Sequence, residues 1–211
     1  MKVLLINGSP NEKGCTYTAL DEISKTLNQE GIDTEIFYIG KEAIAPCRDC
    51  RACVNLQKCV IDDKVNELLF RINDFDGFVI GSPVHYASAS GVISPFLDRL
   101  FFAGSRVVGK NPFRLKPGMA VVSCRRAGST ATLDQLNKYF LINQMPIISG
   151  RYWNMVHGSI PEQVRQDLEG MQNMRILAKN MAWHLKCKEA GEKLGIEPPK
   201  PEETIYTNFI R

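Results

Sequence analysis

Four cysteines fall within thirteen consecutive positions of the chain, at Cys47, Cys50, Cys53 and Cys59. Thiolates at this density suit a [4Fe–4S] cluster or, as the weaker alternative, a tetrahedral zinc ion. The spacing C-x2-C-x2-C-x5-C differs from the ferredoxin pattern in its longer last gap. Thiols that serve only packing or a labile disulfide are the competing interpretation. The residues therefore favour a metal-ligand set without deciding it.

A second segment whose residue types could bind a ligand is the polar stretch from Gly8 to Thr16. It offers hydroxyls, an amide and two glycines between an apolar run and a helical pattern. Free backbone N–H groups and the positive end of the helix dipole at such a junction bind anions. The segment lacks G-x-G-x-x-G, and its glycine spacing is one residue too long for a Walker motif. It predicts a phosphate monoester held by neutral donors, with an ordinary capped turn as the alternative.

A third segment, from Ser82 to Ser88, combines a proline, an aromatic residue and small residues. It follows another apolar run and could form a flat ledge for a ring system whose polar edge bonds to the backbone. Within it, His85 taken alone is more typical of a structural or exposed histidine than of a ligand contact.

These segments lie between predicted strands and helices, which alternate regularly along the chain. The predicted strands are 2–7, 34–39, 77–81, 119–123 and a short one near 147–148. The predicted helices start near Cys15, run from Asp62-Asp63 to about Asn73, cover 91–102 and 130–142, and continue after Pro161. In the last helix, apolar residues at helical spacing predict core packing: Val164, Leu168, Met171, Met174, Ala178, Met181 and Leu185.

The alternation predicts an α/β fold. Parallel strands need right-handed crossover connections, so helices cover both faces of the sheet. Five strands suit a flavodoxin-like doubly wound parallel sheet in the order 2-1-3-4-5, which binds ligands outside the carboxyl ends of its strands. We predict one such domain over 1–195, with 40–61 as a cysteine-rich insertion loop. The tail 196–211 is predicted to leave in extended form because of Pro198, Pro199 and Pro201.

Composition narrows the class of protein. With 211 residues, 44% of them hydrophobic and 23% charged, the chain is an ordinary globular protein with room for one core. A formal net charge of +3 and scattered basic residues argue against a nucleic-acid partner. The apolar N-terminal run is too short for a signal peptide or a membrane span, which predicts a cytoplasmic protein without a membrane partner. There, cysteines are thiols, ligands or redox groups, and Cys15, Cys124 and Cys187 lie apart from the cluster.

In their order and spacing these segments resemble the NAD(P)H-dependent FMN reductases and iron-sulfur flavoproteins of the flavodoxin-like superfamily. The resemblance covers nearly the whole chain. It rests on Asn7-Gly8-Ser9-Pro10 with Gly14 and Thr16, Cys47 to Asp63, Gly81 to Tyr86, Asp98-Arg99, Arg125 to Gly128, and Tyr152-Trp153. One departure is His85, where family members often carry an aromatic residue. The cysteine spacing is similar to the compact motif of the iron-sulfur flavoproteins, but related reductases carry similar cysteines without a cluster.

The resemblance implies an FMN-dependent oxidoreductase that takes hydride from NAD(P)H and passes electrons to a small acceptor such as a quinone or a flavin. The implied cofactor contacts are Ser9, Asn11, Gly14, Cys15 and Thr16 in the phosphate loop, Pro83, Val84, His85 and Tyr86 at the isoalloxazine, and Ser123, Arg125, Arg126 and Gly128 on the ring's other side. Arg125 and Arg126 could bind nicotinamide cofactor phosphates through charge-assisted hydrogen bonds, or could simply be exposed.

If a cluster is present, electrons collected in pairs could leave singly, and Arg48 and Arg51 would partly offset its negative charge. The flavin carries the chemistry, so no catalytic acid–base residue is predicted. The resemblance also implies a homodimer or homotetramer. Two alternatives remain open: a non-enzymatic iron-sulfur flavoprotein that exchanges electrons with ferredoxin, and a thiol-based sensor.

Overall fold

The computed structural model of the chain describes residues 1–107 and 111–209; positions 210–211 of the predicted tail lie outside the described residues. The strands are β1 (Lys2–Asn7), β2 (Asp33–Tyr38), β3 (Gly77–His85), β4 (Ser88–Ala89), β5 (Gly118–Cys124) and β6 (Met155–His157). The helices are α1 (Cys15–Gln29), α2 (Cys53–Leu56), α3 (Lys64–Leu69), α4 (Ile93–Val107), α5 (Ser129–Ile142), α6 (Pro161–Gln166) and α7 (Leu168–Lys193). A 3-10 turn covers Ile72–Asp74.

Five strands form one parallel sheet in the order β2-β1-β3-β5-β6. The two-residue strand β4 pairs antiparallel with the end of β3 and makes a short hairpin there. This order differs slightly from the predicted 2-1-3-4-5, because the short β4 intervenes in the chain and the last strand is β6. The predicted α/β doubly wound class is confirmed. As a result β1, β3 and β5 end at the same edge of the sheet.

The hydrophobic core has two layers, one on each face of the sheet. Leu4 and Ile6 of β1 belong to the layer covered by α3, α4 and α5, whereas Val3 and Leu5 belong to the layer covered by α1 and α7. Side chains of a strand alternate between faces, so a strand buried on both sides is apolar at every position. The continuous apolar run at the N-terminus is the sequence signature of this central strand.

The fifth strand lies at β6, so the predicted strand at 147–148 is wrong. Ile147 forms only an isolated parallel bridge with Gly118. The chain then leaves the sheet beside β5 and returns at Met155, which pairs with Val122. Asn173 of α7 stabilises the segment between Ile148 and Met155, because its Oδ1 accepts a hydrogen bond of 2.9 Å from the N–H of Arg151. Such a side-chain partner comes from tertiary packing and leaves no local pattern.

Several helix boundaries also differ from the predicted ones. The single helix expected after Pro161 is split into α6 and α7, because Asp167 leaves helical geometry and caps α7 by accepting a 2.9 Å bond from the N–H of Gly170. Leu168 is therefore 77% exposed and is the one member of the predicted core stripe that lies outside the core, whereas Val164 before it and Met171 after it are buried. Helix α3 ends at Leu69 rather than at Asn73, and α4 extends beyond the predicted end at residue 102.

The described ranges contain no helix that combines the length and the apolar character needed to span a membrane. The tail residues 196–209 form neither helix nor strand, and the carbonyl of Pro199 accepts a 2.8 Å bond from Nη2 of Arg114.

Candidate functional site

Three loops meet at the carboxyl ends of the parallel strands: the first loop follows β1, the third loop follows β3, and the fourth loop follows β5. Direct hydrogen bonds join the first loop to the third. The N–H of Gly8 donates to the carbonyl of Gly81 at 2.9 Å, and the hydroxyl of Ser90 donates to the carbonyl of Gly8 at 2.5 Å. A Cβ added to Gly8 would lie 2.7 Å from Cδ1 of Ile93, so only glycine permits this approach. The loop after β1 is thereby held against β3 and the start of α4.

The first loop is also joined to the end of β5. Oγ1 of Thr16 lies 2.8 Å from Oγ of Ser123, and both side chains are buried. Two neutral hydroxyls at this point give the site hydrogen-bonding capacity without charge.

The first loop has the shape of an anion cradle. The side chain of Asn7 fixes its curvature, accepting from the N–H of Ser9 at 3.2 Å and donating to the carbonyl of Glu12 at 2.9 Å. Oγ of Ser9 accepts from the N–H of Asn11 at 3.1 Å. Among the described residues no side chain caps α1, which follows Gly14 and has no acidic residue in its first turn. The first-turn N–H groups and the helix dipole therefore fit a phosphate in donor chemistry.

The third loop is a tight hairpin between β3 and β4. Tyr86 and Ala87 both have left-handed backbone conformations, with φ of 51° and 58°, as a two-residue type I′ turn requires. Tyr86 is fully exposed at the tip, and His85 before it is exposed as well. The predicted loop residues Ser82 to His85 thus belong to the end of β3, and Ser88 belongs to β4.

The β5–α5 connection supports this hairpin. Gly128 has φ of 91°, and a Cβ there would lie 2.7 Å from Cα of Ala87. Oε1 of Gln135 accepts from the hydroxyl of Ser88 at 2.7 Å and from the N–H of Ala89 at 3.0 Å. The left-handed glycine and the glutamine set how far the hairpin stands from α5.

The remaining predicted contacts of this site differ in their surroundings. Arg125 and Arg126 are exposed and make no hydrogen bond or ion pair with the described part of the chain. Cys15 lies at the start of α1 with its Sγ 3.6 Å from the carbonyl oxygen of Gly158, and burial raises the pKa of its thiol. The arginines are therefore free to meet a ligand, whereas Cys15 is held in its thiol form.

The four clustered cysteines line one small pocket between their loop and α4, away from the three loops. Cys47 and Cys50 are exposed, Cys53 is buried at the start of α2, and Cys59 is intermediate. The cavity measures about 20 Å³, room for roughly one water molecule. No three Cys, His, Asp or Glu side chains in the described ranges are arranged as a ligand set.

The predicted metal site stays a prediction: the four thiols line one pocket, but in the described ranges they are not arranged as a ligand set. The physical reason is local, because the loop that carries Cys47 and Cys50 has no regular hydrogen-bonded structure to hold these two thiols inward. In donor chemistry the set still fits a thiolate-ligated cluster, since four thiols share the pocket with a buried guanidinium.

That guanidinium belongs to Arg99 of α4, whose side chain is 1% exposed. Burial alone would lower the pKa of Arg99, but hydrogen bonds to Asp63 and Cys59 outweigh it and leave the pKa above its ordinary value. Arg99 is therefore a permanent positive charge inside the cysteine pocket. Arg48 and Arg51, which the sequence offered for this role, are exposed.

Comparison with known proteins agrees with this geometry. The sequence pattern described as NADPH-dependent FMN reductase matches residues 1–159. The chain belongs to the NADPH-dependent FMN reductase family. The resemblance inferred from the loops and the cysteine spacing is thereby confirmed.

Similar proteins match this chain over most of their length. An iron-sulfur flavoprotein of Methanocaldococcus jannaschii is 29% identical over 187 residues, covering 86% of this chain and 96% of that protein. The structure of RosB with bound 8-demethyl-8-formylriboflavin-5'-phosphate superposes with a TM-score of 0.71 at 14% identity, covering 99% of this chain and 92% of that one. An archaeal flavodoxin superposes with a TM-score of 0.59 at 13% identity, covering 88% and 99%. The fold is flavodoxin-like.

Within this FMN reductase family member, sequence reasoning missed three residues that organise the site. Ser90 and Gln135 bond to backbone groups of the loops, and Arg99 entered only as part of the resemblance. A signal existed for Arg99, because it is a charged residue between Leu97 and Leu100 on the apolar side of an amphipathic helix. Ser90 and Gln135 carry no comparable signal.

Proposed function

We propose that the chain is an FMN-dependent oxidoreductase that takes hydride from NAD(P)H and passes electrons to a small acceptor. The observation that carries the proposal is the meeting of three loops at one sheet edge. Gly8 bonds to Gly81, Thr16 bonds to Ser123, and Gly128 packs against Ala87. A flavodoxin-like sheet binds its ligand at this edge.

In this proposal the first loop binds the phosphate of FMN. The donors are backbone N–H groups of the first turn of α1, from Cys15 onward, together with the side chains of Ser9, Asn11 and Thr16. Gly14 keeps the loop compact, since a Cβ there would lie 3.0 Å from Cβ of Asn11. Neutral donors bind a monoester without the metal or lysine that a triphosphate needs.

The hairpin and the β5–α5 connection would enclose the isoalloxazine ring. Pro83, Val84, His85 and Tyr86 offer one edge of the site, and Ser123 and Gly128 offer the other. When bound, FMN accepts a hydride as an electron pair and can release electrons singly, so the protein's task is to bind and orient. Arg125 and Arg126, exposed and unpaired within the described ranges, would bind the phosphates of NAD(P)H.

Reconstitution followed by rapid mixing tests this function. The purified protein is expected to bind FMN with a yellow flavin spectrum, and NADH or NADPH is expected to bleach that spectrum within the mixing experiment. A protein that cannot be reconstituted with FMN contradicts the whole proposal. Flavin that binds but is bleached by neither nucleotide contradicts the NAD(P)H step alone.

A second candidate is an iron-sulfur flavoprotein that carries electrons between FMN and a partner such as ferredoxin. It is favoured by the shared pocket of Cys47, Cys50, Cys53 and Cys59 and by the name of the similar M. jannaschii protein. Anaerobic purification with iron and sulfide analysis should then give about four of each per chain. Flavin reduction by ferredoxin and not by NAD(P)H would favour the carrier over the reductase.

We further propose that the chain forms a homodimer or homotetramer. The exposed Tyr86, Tyr152 and Trp153 are aromatic side chains of the kind that subunit interfaces favour. Light scattering after size exclusion measures the mass directly. A single species of 23.7 kDa would contradict this part of the proposal.

A further inference from the structure

The buried guanidinium of Arg99 is fully engaged on the cysteine side of the fold. Nη1 donates to Oδ2 of Asp63 at 2.6 Å, and Nη2 donates to Oδ1 of the same carboxylate at 2.9 Å. This two-pronged pairing fixes the plane of the guanidinium, since both carboxylate oxygens are used. Asp63 in turn caps α3, because its Oδ1 accepts from the N–H of Val65 at 3.0 Å. The arginine therefore has one orientation in the folded chain.

In that orientation two N–H groups of Arg99 point at one sulfur. Nε and Nη2 are each 3.3 Å from Sγ of Cys59. A neutral thiol is a weak acceptor, whereas a thiolate or a metal-bound sulfur is a strong one. Two donors from a permanent cation therefore suit a sulfur that carries negative charge.

Arg99 also closes both ends of the cysteine segment. Nη2 donates to the carbonyl of Ile61 at 2.8 Å, and Nη1 donates to the carbonyl of Ala45 at 3.4 Å. Asn66 adds a second anchor, accepting from the N–H of Cys59 and donating to its carbonyl, each at 2.9 Å. Cys59 is thus the best anchored of the four thiols.

Burial decides which arginine acts on this pocket. Arg48 and Arg51 are exposed, so water and salt screen their charges. Arg99 is shielded from solvent, and a charge in such surroundings acts several times more strongly on its neighbours. A positive charge beside an iron–sulfur centre favours the reduced, more negative state and so raises its reduction potential.

We propose that Arg99 is a positioning residue that holds Cys59 and both ends of the segment 45–61 around the pocket, and that its charge raises the reduction potential of a thiolate-ligated cluster there. The second half rests on the iron-sulfur centre of the proposed function. The first half concerns the polypeptide alone, so it can be tested without metal.

The test compares Arg99→Met with Arg99→Lys. The methionine removes the positive charge, whereas the lysine keeps the charge but loses the two-pronged pairing with Asp63. Arg114→Met is the matched control, because Arg114 is only half-buried and its bonds to Gln144 and to Pro199 in the tail lie in exposed surroundings. Each protein is purified anaerobically and checked for FMN binding as a sign of folding. Three quantities follow: iron and sulfide per chain, the midpoint potential of the cluster, and the rate of trypsin cleavage after Arg48 and Arg51 in chelator-treated protein.

Arg99→Met is expected to be cut about tenfold faster in the segment, because local opening becomes easier. Any cluster it retains should have a reduced-to-oxidised ratio at least about tenfold lower at a fixed potential, a shift of 59 mV for one electron. Arg99→Lys should recover most of the potential but not the resistance to trypsin. The control should match the unmodified protein throughout.

Unchanged iron content, potential and cleavage in Arg99→Met would overturn the proposal. If Arg99→Met does not bind FMN and is degraded globally, Arg99→Lys decides, and unmodified behaviour of that variant in all three measurements is equally contradictory. If the unmodified protein takes up no iron, the proposed centre fails, but the trypsin comparison still decides whether Arg99 positions the segment.

Discussion

The hydroxyl of Thr16 at the start of α1 lies 2.8 Å from the hydroxyl of Ser123 at the end of β5, although 107 positions separate them in the chain. Thr16→Val should lower the free energy of unfolding by about 1–3 kcal/mol, because it leaves the buried Ser123 hydroxyl without this partner. Urea unfolding measures the loss. The double variant with Ser123→Ala should cost less than the sum of the single variants, and strict additivity would contradict the coupling. Thr130→Val, at an exposed position, is the control.

The uncapped start of α1 should make phosphate recognition sensitive to added negative charge. Asn11→Asp changes the charge and hardly the shape, and the exposed Asn11 is itself one of the proposed phosphate donors. FMN affinity should fall about tenfold by repulsion and by competition for the helix N-terminus. Riboflavin, which has no phosphate, should bind the variant and the unmodified protein equally well. Quenching of flavin fluorescence measures both affinities, and an equal loss for both ligands would place the phosphate elsewhere.

Gly128 should be intolerant of a side chain. Gly128→Ala puts a methyl group 2.7 Å from Cα of Ala87 at a φ of 91°, so the hairpin must move away from α5. We expect FMN affinity to fall about tenfold or more, with a loss of about 1–3 kcal/mol in stability from backbone strain. Gly91→Ala is the matched control, because a Cβ there meets nothing within 4 Å. Equal behaviour of the two variants would mean that the hairpin position does not matter for the flavin.

Asn66 should be a costly polar residue to replace near the cysteine loop. It is buried, and besides its two bonds to Cys59 it donates to the carbonyl of Ile61 at 3.3 Å and to Asp62 at 3.1 Å. Asn66→Ala should lower the free energy of unfolding by about 2–3 kcal/mol, because backbone groups lose their partners. The exposed Asn55→Ala should change it by less than about 0.5 kcal/mol in the same chemical denaturation. A loss at Asn66 no larger than at Asn55 would contradict this role.

The buried thiol of Cys124 should resist alkylation and should destabilise the protein at alkaline pH. Burial raises the pKa of Cys124, so the folded chain keeps its proton while the unfolded chain loses it near the ordinary value of about 8.5. Stability is therefore expected to fall as the pH rises above that value. Mass spectrometry after iodoacetamide treatment at pH 8 should find exposed Cys187 modified and Cys124 intact. Equal labelling in the folded protein would refute the protection.

The parallel sheet was predictable because its signals are local. The apolar run of β1 matches the predicted bounds, since a strand buried on both faces is apolar at every position and Gly8 and Pro10 end it. The gathering of the first, third and fourth loops was predictable too, because parallel strands in this order end at one edge. The same reasoning failed for β6, because the segment before it is held by Asn173 of α7, a contact that no local pattern indicates.

What the sequence by itself determined is the α/β class, the central strands and the identity of the loops, since periodicity, glycines and cysteine spacing act within a few residues. Tertiary structure alone decided the contacts between distant residues. Arg99 and Cys59 are 40 positions apart, and nothing near either residue indicates that a buried cation meets this thiol and not the others. Thr16 and Ser123 meet only because α1 and β5 pack together. Such pairings are set by how whole elements pack, which a pattern of neighbouring residues does not encode.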